Sequence, residues 1–166
     1  MAQTHEPHYH STCCHPLSPE TMLKLPPKIR ERLKVERCLI AQNSFAVDDA
    51  QPNNAIRGTW AAKGQQDWAV LCIEPDQLSV RLFWGGKAKC SDTILLAQFR
   101  ENDGHWDDPD TVLWPADAQK IKSYDQAFGD HNLPRLDHSG LEIGGEEATT
   151  IYYCSEGKWI HLAGND

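Results

Sequence analysis

From Ile56 to Phe99 the chain is a series of short apolar, aromatic-rich runs separated by turn residues, and this spacing limits the fold more than any other feature. The runs are 56–61, 67–73 (DWAVLCI), 78–84 (LSVRLFW) and 92–99 (DTILLAQF). The linkers are Lys63-Gly64-Gln65-Gln66, Pro75-Asp76-Gln77 and Gly85-Gly86-Lys87-Ala88-Lys89. Val, Ile and aromatic residues suit a pleated, half-buried surface, whereas Gly, Pro and Asp punctuate it. Parallel strands need a crossover of about a dozen residues, so linkers this short permit only antiparallel hairpins. In the third run Leu78, Val80, Leu82 and Trp84 alternate and share one face.

Helical signals flank these strands. Pro26-Pro27 opens a helix over 26–37, because a first turn needs no backbone donor at those positions, and Ile29 and Leu33 recur one turn apart on its inward side. Ala118, Ile121, Tyr124 and Phe128 give a second helix over 116–128, with Pro115 before it and Gly129 placed for a left-handed C-cap. Runs 149–154 and 158–163, joined by Ser155-Glu156-Gly157, form a terminal hairpin. The expected fold class is α+β, mainly antiparallel β hairpins with two flanking helices. Residues 1–20 hold no Lys, Arg, Val or Ile and read as a disordered His/Cys/Pro-rich tail; residues 21–166 form one globular domain.

A chain of 166 residues with 40% hydrophobic and 24% charged side chains has enough apolar material for one core. Its net charge of −8 excludes nucleic acid and anionic membrane as main partners, and no run is long enough to span a bilayer. The charge is uneven: residues 24–37 carry Lys24, Lys28, Arg30, Arg32, Lys34 and Arg37 against Glu31 and Glu36. A basic helix then lies on an acidic body, or offers a basic face to an acidic partner. Without a basic n-region or apolar h-region the chain as it stands reads as cytoplasmic, with a periplasmic or exported protein that has lost its leader as the alternative. The six cysteines (13, 14, 38, 72, 90, 154) form no Cys-x-x-Cys. In an oxidising compartment Cys38, which follows the basic helix, and Cys72, which ends an apolar strand, are the first pair expected to bridge if the helix packs on that strand; in a cytosol all six are thiols.

The stretch Gly58-Thr59-Trp60-Ala61-Ala62-Lys63-Gly64-Gln65-Gln66-Asp67 followed by Trp68–Leu71 resembles one blade unit of the integrin-type FG-GAP or VCBS repeats. Their loops usually hold calcium, and the resemblance implies propeller-blade-like hairpins. At the positions of the calcium oxygens this chain reads Thr59, Ala61 and Lys63, with only Asp67 acidic, so calcium is not expected and the Lys63 ammonium would take the place of the cation. The match covers 56–71 and occurs once, with a partial echo at Leu136–Glu142, so a full propeller is excluded. The order of helix, Cys38, hairpins, helix and terminal hairpin is also similar to small bacterial proteins of unassigned function, often exported.

Several groups carry latent chemistry. His5, His8, His10, Cys13, Cys14 and His15 are ligands suited to a divalent transition metal, on a tail that imposes no geometry. The loop 102–110 gathers four carboxylates, His105 and Trp106 but lacks the acidic alternation of an EF-hand, so a solvated turn is the expectation. His131, Asp137 and His138, with Glu142 nearby, are the candidates for general acid/base catalysis, provided one His lies within reach of an oriented carboxylate. Cys90, after Lys87 and Lys89, is the cysteine placed to form a reactive thiolate. Gly-x-Ser-x-Gly, P-loop and dinucleotide motifs are missing. The reading that fits best is a monomeric, non-catalytic interaction domain without a cofactor, binding an unidentified protein through Trp84, Trp106 and Trp114, with the basic helix as a second candidate surface. A metal-handling protein using the tail and a hydrolase using His131, Asp137 and His138 are the alternatives.

Overall fold

Two antiparallel sheets lie face to face in a computed structural model that describes residues 15–43, 52–99, 111–130, 132–145 and 148–164. The first sheet holds β1 (Leu39–Ile40), β2 (Ala55–Gly58), β3 (Asp67–Glu74), β4 (Gln77–Phe83) and β5 (Thr93–Gln98), with β1 and β2 sharing one edge of β3 and β4 and β5 following on the other. The second is a meander of β6 (Val112–Ala116), β7 (Gly140–Gly144), β8 (Thr149–Ser155) and β9 (Lys158–Gly164). Helix α1 (Pro27–Val35) covers the outer face of the first sheet and α2 (Ala118–Phe128) that of the second. The molecule is therefore an α+β protein in four layers, helix, sheet, sheet, helix, and every described strand pair is antiparallel.

Alternation along the strands explains the layers. Ala69, Leu71, Val80, Leu82 and Ile94 point from the first sheet into a shared core with Leu113, Leu141 and Ile143 of the second. Val70 and Cys72, one residue out of phase, face Met22, Leu25 and Leu33 beneath α1. Ile151, Tyr153 and Leu162 likewise meet Ile121 of α2. Each of the Val, Leu and Ile side chains among them, moved from water to the interior, contributes roughly 1.5–3 kcal/mol. Trp84 and Trp159 pack at the margin of the inter-sheet core with ring centroids 5.9 Å apart, and the Trp159 indole donates to the Ser91 carbonyl at 3.0 Å.

Two disulfides tie the layers together. Cys38–Cys72 joins the segment after α1 to β3, and Cys90–Cys154 joins the β4–β5 loop to β8, linking one sheet to the other. Cys90 is thus a cross-link and not the reactive thiolate that its lysine neighbours suggest.

Other expectations shift for identifiable reasons. The ordered chain begins earlier than composition implies: Leu17 bridges Ile40, Ser18 and Pro19 start a 3-10 turn, and Pro19 is buried, so residues 15–20 belong to the fold and not to a tail. Strand β1 has only two residues and no periodicity to reveal it. Strand β6 contains Pro115, tolerated because β6 pairs on one side only. Strand β7 is bracketed by glycines and carries a buried carboxylate, Glu142, which Lys120 and Tyr124 of α2 satisfy. Helix α2 starts at Ala118 under an Asp117 cap whose Oδ1 accepts from Lys120 N at 2.7 Å, leaving Ala116 in β6. Gly129 is extended, at φ −87°, instead of left-handed; a Cβ there would stand 2.1 Å from Asp125 Oδ1, so close approach is what requires glycine.

On the first sheet's outer face Glu74 accepts from Ser79 Oγ (2.8 Å) and from Arg81 Nε (3.1 Å), and Gln77 completes the network. Burial by itself would raise the Glu74 carboxyl; the hydrogen bonds from Arg81, Gln77 and Ser79 more than offset it and hold it below its ordinary 4.5. The folded state then binds this proton less readily than the unfolded chain. The resulting stability is complete above the unfolded value and is lost as pH falls through the folded one. In urea melts across acid pH, the stability gap between wild type and Glu74→Gln is expected to be constant above about pH 5 and to close below it. Replacing Cys90 and Cys154 together by Ala is expected to remove about 4 kcal/mol from the oxidised protein, the loop-closure value for a separation of 64 residues, read from urea midpoints.

Candidate interaction groove

Helix α1 is pinned at its end by Cys38–Cys72, and its first turns reach across the opposite end of β3 and β4. Prolines 26 and 27 start the helix without a side-chain cap. Ile29 and Leu33 anchor it on the sheet. Between these turns and the strand ends lies a cavity of about 650 Å³. Its floor is aromatic: Trp68 and Phe83 are cross-strand partners on the α1 side of the sheet, and Trp84, whose ring packs on Trp159 toward the inter-sheet core, borders it. All three are half-buried. The rim is cationic, with Lys28 and Arg32 from α1 and Lys89 from the β4–β5 loop, against Asp92.

The three cations are not equivalent. Arg32 bonds Glu36 at 2.9 Å and Asp92 at 3.4 Å, and its guanidinium sits 5.6 Å above the Phe83 ring, so it closes the groove wall as a cation–π contact. Lys28 and Lys89 are exposed and have no ion-pair partner among the described residues. Trp84 Nε1 is buried with no acceptor among them, an unsatisfied group that costs about 1–3 kcal/mol where it occurs.

The groove's far wall is held by a fully buried carboxylate. Asp67 Oδ1 accepts from Gly85 N (2.8 Å) and Gln65 Nε2 (2.8 Å), while Oδ2 accepts from Trp60 N (3.1 Å). Gln65 also donates to the Ala88 carbonyl at 2.7 Å. One side chain thereby locks the 59–66 loop to the Gly85-Gly86 turn that borders the aromatic floor. Glycine is required at 85 because a Cβ would lie 1.9 Å from the Gln66 carbonyl oxygen. Lys63 is exposed and does not stand where a cation would meet Asp67; three N–H donors satisfy that carboxylate instead.

Of the proposed catalytic residues, Asp137 and His138 line one cavity together with Tyr153, and His131 lies outside the described residues. His138 is buried to 4% side-chain exposure, its ring stacked on Tyr153 at 4.3 Å. Its nitrogens lie 3.0 Å from the Ser139 carbonyl and 2.9 Å from the Cys154 carbonyl, and a neutral ring, with one N–H, donates to one of the two. Asp137, half exposed, stands 3.9 Å from Nε2, and its Oδ1 lies nearer the Tyr153 hydroxyl at 3.5 Å. That hydroxyl also donates to the Arg135 carbonyl and accepts from Asp137 N, both at 3.0 Å. Burial raises the Tyr153 hydroxyl above its ordinary value, which keeps it a neutral clamp for the 135–137 loop. Glu142 faces α2, away from His138. The bonds to the Tyr153 hydroxyl position the 135–137 loop.

Of the three tryptophans expected at one surface, Trp84 lines the groove, whereas Trp114 is a half-buried residue within β6, opposite Glu142, and takes no part in it. Trp106 and His131 lie outside the described residues, as do the 102–110 loop and His5, His8, His10, Cys13 and Cys14; His15 is described and exposed. Among the described residues no group of three or more metal ligands converges, and no helix is long and apolar enough to cross a membrane. Sequence reasoning missed Trp68 and Phe83 as a paired floor, although their strand register follows from the Pro75-Asp76 turn, and it missed Gln65 altogether. No protein-family model, curated protein or solved structure matches the chain.

Replacing Asp67 by Asn turns an amide N–H toward groups that only donate. Asp67→Asn is expected to cost about 3 kcal/mol in urea denaturation, and Gln65→Ala, which removes one donor, about 1 kcal/mol.

Proposed function

We propose that this chain is a non-catalytic binding domain that presents the groove between α1 and the first sheet to a partner protein. The observation that carries the reading is the pair of exposed, unbridged lysines, Lys28 and Lys89, beside the half-buried aromatic floor of Trp68 and Phe83. Aromatic side chains supply large contact area at low entropic cost and are enriched where proteins bind one another. The wall locked by Asp67 supports the same reading, since a preformed surface loses little freedom on binding. We further propose an oxidising compartment as the place of work, because disulfides such as Cys38–Cys72 and Cys90–Cys154 persist in secreted and periplasmic proteins and are reduced in a cytosol.

The full chain, immobilised under oxidising conditions, tests this with three baits: wild type, Lys28→Glu/Lys89→Glu and His138→Gln. A protein retained by wild type and His138→Gln but lost by the double variant is the expected result. Equal retention on all three baits, or turnover of a chromogenic ester or phosphate that disappears in His138→Gln, would contradict it.

A further inference from the structure

We infer that the occupant of this groove is a short acidic segment carrying one aromatic or large aliphatic side chain; the inference rests on the binding-domain reading and specifies the partner's chemistry. Charge selects the sign. Lys28 and Lys89 carry free positive charge at the groove, and Arg32 adds a third cation whose partners, Glu36 and Asp92, are themselves at the surface. The molecule as a whole carries −8, so this rim is a local reversal of the protein's field.

That reversal also sets the length of the ligand. Screening confines the rim's attraction to about 8–10 Å at physiological ionic strength. A long polyanion, whether nucleic acid or membrane, extends past the rim and meets the acidic body. A segment of a few residues stays within reach of Lys28 and Lys89 alone. The cavity of about 650 Å³ matches such a segment and is too small for a folded domain to enter.

The floor sets the second requirement. Carboxylates held by lysines at an open rim gain little, roughly 0–1 kcal/mol each, because water competes for both partners. Affinity must then come from apolar contact, and Trp68 and Phe83 supply it, with Ile29 of α1 above them. An aromatic ring entering here meets ring faces and edges at a site already shaped by a cross-strand pair. Acidic residues around the anchor give direction and specificity, and the anchor gives residence.

Calorimetric titration of the full oxidised chain with three capped hexapeptides tests the inference: Glu and Asp around one Phe, Lys around the same Phe, and Ser and Gly around the same Phe. The acidic peptide is expected to bind in preference to the other two, to weaken as NaCl rises from about 50 to about 300 mM, and to weaken about tenfold or more in Lys28→Glu/Lys89→Glu. Lys122→Glu, on the exposed side of α2, is expected to leave binding unchanged. Binding of the acidic peptide that ignores the double substitution overturns the inference. If instead the neutral or basic peptide binds as tightly and Phe83→Leu weakens it, the groove remains a binding site and the acidic occupant alone is overturned. Binding of none of the three also overturns the inference, while the binding-domain reading answers separately to the retention experiment.

Discussion

The buried carboxylate of Asp67 is the constraint on which the functional end of this molecule depends. A charge removed from water survives only if its oxygens are met by donors, and here the donors are two backbone amides and one side-chain amide from separate stretches of chain. Meeting that requirement fixes Trp60, fully buried in the inter-sheet core, and Gly85, at the turn beside the aromatic floor. One residue at the start of β3 therefore couples the hydrophobic core to the groove. Loops that sequence composition marks as polar connectors become walls of defined shape.

The layered arrangement follows from a sheet problem. A lone sheet of this size buries one face and leaves the other wet, whereas β3 is buried along both. Covering it requires a helix on one side and a second sheet on the other. Each contact has a disulfide near its edge, Cys38–Cys72 for the helix and Cys90–Cys154 for the second sheet. Cross-links of this kind act chiefly by narrowing the unfolded ensemble. They also leave the first turns of α1 without a covalent tie, held by packing and by polar contacts such as Arg32–Asp92, and this is where the groove opens.

Much of this was legible in the sequence, and the exceptions are instructive. The β3–β4 and β8–β9 hairpins and α1 are visible because periodicity and turn chemistry agree there. Strands β6 and β7 are hidden because Pro115, the flanking glycines and Glu142 each violate strand preference, and tertiary partners compensate: an edge position for the proline, Lys120 and Tyr124 for the carboxylate. Leu17 and Pro19 are invisible because a single bridge to Ile40 and one buried ring leave no pattern. The sequence points to no groove, only to a tryptophan surface and, as a second candidate, the basic helix. The structure brings Trp84 and the first turns of α1 to one cavity, a juxtaposition set by a disulfide and by strand register that no local window contains. Asp137 and His138 are adjacent in sequence and line one cavity, but the stacking of the His138 ring on Tyr153 and its closeness to two backbone carbonyls leave no local pattern.

Amide hydrogen exchange on the oxidised protein is the most direct test of the claim that Asp67 organises the groove. The Trp60 and Gly85 amides lie outside regular strands and donate to its two oxygens. The account requires them to exchange as slowly as the β3 core amides, through global unfolding, while the neighbouring Gly86 amide exchanges quickly. Rapid exchange at Trp60 and Gly85, at the rate of Gly86, would mean that the loop and the turn are not locked to Asp67, and the preformed groove would lose its foundation.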